Sequence, residues 1–188
     1  EVNYAEALKP ITAAIQAAPN DPKAAKDLIK EYQKTFKKSE EAIVALGNVY
    51  LLQHNFTAAT DIANSVVNNK KFNGSLGYVL LGDIADLQDS IGNAGAAAQQ
   101  YQTAISLDPQ NVAAYERYAK VYRHVNSKVA VAKLEELRKV KPDYPVEATA
   151  AEIMLSDGKY KEALAWYDKG NPAYMSEDNF YNYGFAAY

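Results

Sequence analysis

The sequence contains no cysteine among its 188 residues. Disulfide bonds, zinc sites with thiolate ligands and cysteine nucleophiles are therefore excluded, and the absence fits any cellular compartment. An excess of charge of one sign is also missing, because 20 basic and 23 acidic side chains leave a formal net charge of −3. No run of basic residues could neutralise a phosphate backbone. We therefore expect no nucleic-acid partner.

Long hydrophobic runs are absent as well. The nearly apolar stretches 43–52 and 76–81 are much shorter than the roughly 20 residues that cross a bilayer, so we expect no membrane span. The sequence begins at Glu1 instead of methionine. We expect a segment to have been removed upstream, and we favour a cleaved signal peptide over trimmed flanking sequence. This favours an exported bacterial protein, periplasmic or secreted rather than cytoplasmic.

The feature that is present is a short motif that recurs five times, each copy centred on a glycine or an alanine. The steps between the centres are 35, 37, 32 and 33 residues, which is a period of about 34. The centres are Gly47, Gly82, Ala119, Ala151 and Gly184. A repeat of this length predicts a stack of small structural units.

A second motif follows each of the first centres. A small residue opens it, and apolar or small residues stand four and seven positions later; steps of four and three place these side chains on one helical face. Pro109 and Pro142 then end two of the predicted helices. The helical positions are Ala59, Ala63 and Val66, then Ala97, Tyr101 and Ala104, then Ala130, Leu134 and Leu137.

The two motifs together resemble the tetratricopeptide repeat (TPR), W-x2-L-G-x2-Y followed by A-x3-F-x2-A and proline, over about 150 residues. The resemblance implies an all-α fold, a right-handed α-α superhelix (TPR solenoid) of antiparallel helix pairs with about 11 helices. It implies a single TPR-like domain over 1–188. Its repeats are expected at about 40–73, 75–110, 112–143 and 144–175. The longer second repeat predicts an extended turn over residues 90–95.

Both ends of the array depart from the pattern. First and second helices alternate along the chain, and the helix from Glu40 has the pattern of a first helix. The helix before it must then be a second helix, so residues 3–38 are predicted to form a divergent pair. Asp21 is its predicted cap, with Pro22 at the first helical position. At the other end, 176–188 reads as the first helix of a further repeat. We expect the array to continue, or this helix, 177–188, to self-associate with another subunit.

The sequence shows no group of residues in the pattern of a catalytic or metal-binding site. His54 and His124 are about 70 residues apart, without a second ligand one helical turn away, and the acidic line Asp83, Asp86, Asp89 lacks the pattern of a calcium loop. The fifteen tyrosines could stack on a sugar or a base, but many, including Tyr118, fall at packed repeat positions. We predict no catalytic residues, no cofactor and no metal.

The TPR resemblance implies that four positions of each first helix line a concave groove. TPR proteins that clamp the carboxyl terminus of a peptide use asparagine at such positions, and Asn48 matches one of them. Asp83, however, would repel the terminal carboxylate of the peptide, so we do not expect this mode of binding. Lys120 with Arg123 is instead the candidate for pairing with an acidic side chain. The candidate binding positions are Asn48, Val79, Asp83, Asp86, Glu116, Lys120, Arg123, Glu152, Tyr181 and Phe185.

Three functions are consistent with this pattern. The leading one is a non-catalytic TPR scaffold that mediates protein–protein or peptide binding along its concave groove, with binding concentrated at aromatic and arginine positions. The alternative is a docking or regulatory TPR region of a larger enzyme or signalling protein. A hydrolase or small-ligand protein would need a convergent cluster of titratable groups, which the sequence does not suggest.

Overall fold

The computed structural model describes residues 3–88 and 94–188. Over these residues the backbone forms eleven α-helices, one 3-10 turn and no strand, which confirms the predicted all-α fold. The chain divides into two compact units, Glu1–Ser90 (unit 1) and Ile91–Tyr188 (unit 2). The single domain and the repeat boundaries stay predictions.

The described part of unit 1 forms five helices joined by short turns. Ser39 and Asn55 cap the third and fourth helices, because their side-chain oxygens accept the backbone N–H of Ala42 and Ala58, respectively. The third helix packs on both the fourth and the fifth. The helices are α1 (Tyr4–Ala17), α2 (Lys26–Thr35), α3 (Glu40–Leu52), α4 (Phe56–Val67) and α5 (Ser75–Gln88).

The predicted start of α2 at Pro22, with Asp21 as its cap, is wrong: the residue that precedes the helix is Ala25, and no side chain caps it. Asp21 Oδ1 accepts the backbone N–H of Lys23 at 2.9 Å, but the chain then makes turns with i→i+3 hydrogen bonds. Ala25 adopts a left-handed conformation with φ 59°, which interrupts the helical ladder. The helix therefore begins only at Lys26.

The core of unit 1 is built from the residues that the repeat spacing places on the inner helical faces. Ala59, Ala63 and Val66 are each 0% exposed. Tyr32 is also buried, and its hydroxyl donates to the Ala42 carbonyl at 2.6 Å. Burial, with a smaller contribution from Tyr4, raises the pKa of Tyr32 to about 12.

Gly47 lies where α3 crosses its neighbours. A Cβ atom at this position would stand 2.5 Å from Leu80 Cδ2 on α5 and 3.1 Å from Ile62 Cγ2 on α4. Leu80 is itself only 1% exposed, so it has little room to move. The small residue at this repeat position is therefore required by the close approach of three helices.

A carboxylate joins the starts of α3 and α5 in unit 1. Glu40, the first residue of α3, accepts the backbone N–H of Gly74 at 3.0 Å and of Leu76 at 3.2 Å through Oε1. These groups belong to the beginning of α5, where N–H groups lack helical partners. Glu40 thus acts as a cap supplied from the preceding repeat.

Unit 2 holds the remaining described helices. The sixth helix already begins at Ala94, so the extended turn predicted over 90–95 is wrong at Ala94 and Gly95, while residues 90–93 lie outside the described part. Ala97, Ala130 and Ala163 are each 0% exposed on second helices. The elements are α6 (Ala94–Leu107), α7 (Val112–Tyr122), α8 (Ser127–Val140), α9 (Glu147–Ser156), α10 (Tyr160–Lys169), the 3-10 turn Pro172–Tyr174 and α11 (Glu177–Ala187).

Arg138 on α8 holds the connection to α9. Its Nε donates to the Pro142 carbonyl at 2.7 Å, and its Nη1 forms an ion pair with Glu147 Oε1. Glu147 Oε2 also accepts the Val146 backbone N–H at 3.0 Å. The Glu147 side chain is 9% exposed and the Arg138 side chain 41%, so only the carboxylate is deeply buried.

α11 begins at Glu177, directly after a cap on Ser176. The Ser176 hydroxyl accepts the Asn179 backbone N–H at 3.2 Å, while the Asn179 side chain accepts the Ser176 N–H at 2.9 Å, which forms a capping box. In the described part of the chain, a Cβ at Gly184 would meet no heavy atom within 4 Å. The small residue at this repeat position therefore faces open space, unlike Gly47.

Candidate functional site: the cleft between α7 and α9

A cleft of about 430 Å³ lies between α7 and α9 in unit 2. Within each helix most of the lining side chains stand three or four positions apart, so they share one helical face. α7 and the residue after it contribute Glu116, Arg117, Lys120 and Arg123, and α9 contributes Thr149, Glu152, Ile153 and Ser156. Seven of these eight residues are polar or charged, and the eighth is Ile153.

The opposite faces of the two helices explain why these side chains point into the cleft. On α7, Ala114, Tyr115 and Ala119 are buried, at no more than 3% exposure. On α9, Ala150 and Ala151 are both 0% exposed. Packing of the small and apolar residues therefore fixes the rotation of each helix and leaves the charged face toward the cleft.

Both carboxylates in the cleft are held by neutral donors. The Tyr144 hydroxyl donates to Glu116 Oε1, and the Asn179 amide donates to Glu152 Oε1. Burial, reinforced by the bond to Glu116 and its charge, raises the pKa of Tyr144 to about 12. These contacts orient the carboxylates but leave their negative charge in place.

The cations of the cleft outnumber its carboxylates by three to two. Arg123 Nε donates to His124 Nε2 at 3.1 Å, and its Nη1 donates to the Lys120 carbonyl at 3.2 Å. Across residues 3–88 and 94–188, neither the Lys120 ammonium nor the Arg123 guanidinium forms an ion pair. Two neighbouring cations on one helical face repel each other, so an anionic group placed between them would be stabilised.

The structure brings four of the ten predicted binding residues together in this cleft. They are Glu116, Lys120, Arg123 and Glu152. The two predicted residues of α11 lie outside the set that lines it. Tyr181 is 74% exposed, and the Phe185 ring makes an edge-to-face contact with Tyr160 at 5.6 Å between centroids.

The four predicted residues of unit 1 differ widely in accessibility. Asp86 is exposed, whereas Asn48 and Asp83 are half-buried. Val79 is only 6% exposed, so its side chain offers little surface to a ligand. The assignment of these positions to a binding surface stays a prediction.

Arg117, Thr149, Ile153 and Ser156 also line the cleft, and the sequence reasoning missed them. The predicted repeat begins at residue 144, but α9 begins only at Glu147, so the residues that face the cleft differ from those expected from the repeat. The spacing of Thr149, Ile153 and Ser156, at i, i+4 and i+7, was the available signal.

The two histidines have local partners. The His54 ring packs edge-on against Phe56 at 5.5 Å between centroids, and His124 accepts the hydrogen bond from Arg123. Among the described residues, no group of three His, Asp or Glu side chains is arranged to hold a metal ion. No described helix is both long enough and apolar enough to cross a bilayer.

Comparison with known proteins gives matches among solved structures only, since no family model and no curated protein matches the chain. TTC0263, a thermophilic TPR protein of Thermus thermophilus, is 21% identical with a TM-score of 0.64; the match covers 96% of this chain and 98% of that one. The structure of MamA is 19% identical with a TM-score of 0.58, covering 94% and 96%. This chain has the TPR fold.

A third TPR protein, from Parabacteroides merdae ATCC 43184, is 14% identical with a TM-score of 0.53; the match covers 98% of this chain and 78% of that one. These likenesses confirm the resemblance drawn from the repeat motif, and at such identities they bear on the fold alone. In the predicted repeats, α7 and α9 are the first helices of successive pairs, and α8 and α10 are the second helices. On that prediction the cleft lies between two first helices.

Proposed function

We propose that this chain is a non-catalytic TPR scaffold that binds a protein or peptide through the cleft between α7 and α9. In this proposal Lys120 and Arg123 together bind an acidic side chain of the partner. The observation that carries it is the position of these two cations, side by side in the cleft and without an ion pair among the described residues.

The chemistry of the cleft favours a carboxylate with few acidic neighbours. Hydrogen bonds between cations and carboxylates are stronger than neutral ones, and a guanidinium can bind both carboxylate oxygens. Glu116 and Glu152 flank the cations and would repel a second acid on the partner. Ile153 also lines the cleft but is only 5% exposed, so it offers little surface to a ligand. We therefore expect a single acidic residue with neutral or basic neighbours.

The bonding of Ser156 supports a binding role of the cleft rather than a catalytic one. Ser156 Oγ donates to the Ile153 carbonyl at 2.9 Å, so its proton is held by the backbone of its own helix. No histidine is among the described residues that line the cleft. A nucleophile paired with a general base, which acyl transfer would require, is not part of this set.

Charge reversal of the two cations tests the proposal. Peptides selected on the wild-type chain from a random library are expected to be enriched in one acidic residue. They should bind the Lys120→Glu, Arg123→Glu variant at least about tenfold more weakly, because each charge-assisted hydrogen bond contributes about 1.5–3 kcal/mol. Fluorescence anisotropy measures the affinity, and the circular-dichroism spectrum should not change.

A matched control carries the same charge change at another place. Lys128 and Lys139 lie exposed on α8, outside the cleft, and the Lys128→Glu, Lys139→Glu variant should keep wild-type affinity. Equal affinity of both variants for the selected peptides would place the binding surface elsewhere.

We also propose that α11 mediates self-association with a second copy of the chain. The support is a set of exposed aromatic side chains at one end of unit 2, beside the open position at Gly184. Large exposed apolar patches commonly mark interaction surfaces. The residues and their exposures are Tyr174 62%, Phe180 53%, Tyr181 74% and Phe185 55%.

Sedimentation velocity over a range of concentrations tests this second proposal. The wild-type chain should shift from monomer to dimer at micromolar concentration, and the Phe180→Lys, Tyr181→Lys variant should stay monomeric. Leu52→Lys, which changes a 77% exposed residue of unit 1, is the control and should dimerise normally. A wild-type chain that stays monomeric at every concentration would contradict self-association.

A further inference from the structure

A second groove in unit 2 is not explained by the proposed peptide-binding role. It measures about 350 Å³, within the size range of small-molecule sites, and lies against α6 and α7. It is separate from the cleft between α7 and α9, with which it shares none of its lining residues. Its principal side chains are Gln99, Gln102, Thr103, Ser106, Tyr118 and Tyr122.

Two stacked rings form an aromatic surface in this groove. The Tyr118 and Tyr122 centroids are 5.2 Å apart with an interplanar angle of 23°. The Lys133 ammonium lies over the Tyr118 ring, 4.5 Å from its centroid. Tyr118 therefore contacts both the Tyr122 ring and the Lys133 ammonium. In the described part of the chain, the Tyr122 ring contacts only the Tyr118 ring. The half-buried Tyr122 ring is the one left to stack on a ligand.

The polar groups beside these rings offer both donors and acceptors. Lys133 Nζ donates to Gln102 Oε1 at 2.7 Å, so the Gln102 amide nitrogen, with two hydrogens, faces away from the lysine. Thr103 and Ser106 each donate their hydroxyl proton to a backbone carbonyl of α6 at 3.1 Å. Their oxygen lone pairs are left as acceptors.

The groove carries no net charge for an ionic ligand. Its six principal side chains are neutral, and the adjacent Lys133 is only 9% exposed and paired with Glu136 Oε2 at 2.6 Å. A charged ligand would lose hydration there without gaining a counter-charge. A pyranose ring has the complementary chemistry, because it has an apolar C–H face and hydroxyls that both donate and accept.

We propose that this groove binds a neutral carbohydrate, with a sugar ring stacked on Tyr122 and its hydroxyls bonded to Gln99 and Gln102. The full chain should be titrated with each of the neutral trisaccharides maltotriose and cellotriose while its amide NMR signals are recorded. At least one trisaccharide should shift the side-chain amide signals of both glutamines, with saturation in the millimolar range.

Two variants separate binding from a packing role of the aromatic pair. Tyr122→Leu keeps apolar bulk but removes the aromatic face, and Gln99→Leu changes an exposed residue of α6 with little effect on folding. Each should weaken sugar binding about tenfold, equivalent to about 1.4 kcal/mol. If Tyr122→Leu does not fold, Gln99→Leu decides the question.

The control is Lys120→Ala in the other cleft, which should leave sugar binding unchanged and weaken only the acidic peptides. The sugar variants should in turn bind those peptides normally, so failure of one proposal is distinct from failure of the other. Absence of amide shifts with both trisaccharides, or equal affinity of Gln99→Leu and wild type, would overturn the carbohydrate site.

Discussion

Alanine at Gly47 is expected to destabilise unit 1 by about 2 kcal/mol, whereas alanine at Gly184 is expected to stabilise the chain by about 0.5–1 kcal/mol. Both glycines lie inside helices at the same position of the repeat. The helix-propensity gain from glycine to alanine is therefore the same at the two sites. The opposite signs come from what surrounds the added methyl group.

At Gly47 the new Cβ would lie 2.5 Å from Leu80 and 3.1 Å from Ile62. Ile62 is 8% exposed and Leu80 is 1% exposed, so accommodation requires a shift of α4 or α5. At Gly184 no described atom lies within 4 Å of the added methyl, and only the propensity gain is left.

Urea unfolding monitored by circular dichroism measures the free energy of unfolding of both variants. Hydrogen exchange of the α3 amides shows whether the loss of stability in Gly47→Ala lies in unit 1. In a repeat array the effect should be strongest in the helices that contact the substituted one. Equal stability changes at the two glycines would show that helix packing at Gly47 relaxes freely.

The inner faces of the helices were predictable because they depend on spacing within one helix. The repeat alone places Ala59, Ala97 and Ala130 on these faces, and each is 0% exposed. The cap at Ser176 was predictable for the same reason, since a cap bonds to a residue three positions away.

Features that depend on a second repeat or on one backbone angle were not predictable in this way. The start of α2 follows from the positive φ of Ala25, a residue type with no preference for that conformation. The bond from Tyr144 to Glu116 joins residues 28 positions apart. Such partners become visible only when the rotation of both helices is known, and the same is true of Thr149 and Ile153 in the cleft.

The ion pair between α8 and α9 gives the second large prediction. Arg138→Met should destabilise unit 2 by about 1–3 kcal/mol at neutral pH, because it leaves the buried Glu147 carboxylate without its charged partner. Glu147→Gln should cost less, below about 1 kcal/mol. The reason is that the Arg138 side chain, 41% exposed, is already partly hydrated.

The pH dependence identifies the carboxylate as the cause. Burial, the largest influence, raises the pKa of Glu147, but Arg138 and backbone N–H groups together hold the pKa below the usual 4.5. A lowered pKa means that Glu147 contributes stability above pH 4.5, and that this contribution is lost as pH falls through the pKa of the folded state. Removal of Arg138 leaves burial less opposed, so the pKa of Glu147 rises in the variant.

The cost of Arg138→Met should therefore be greatest at neutral pH and shrink as pH falls below 4.5, because a protonated Glu147 no longer needs a cation. Urea unfolding of wild type, Arg138→Met and Glu147→Gln at several pH values measures this. Glu147→Gln is the control, since its difference from Arg138→Met should narrow at low pH to the contribution of the Arg138–Pro142 hydrogen bond and of the arginine stem. A cost of Arg138→Met that is independent of pH would assign the loss to the Pro142 contact and to packing of the arginine stem.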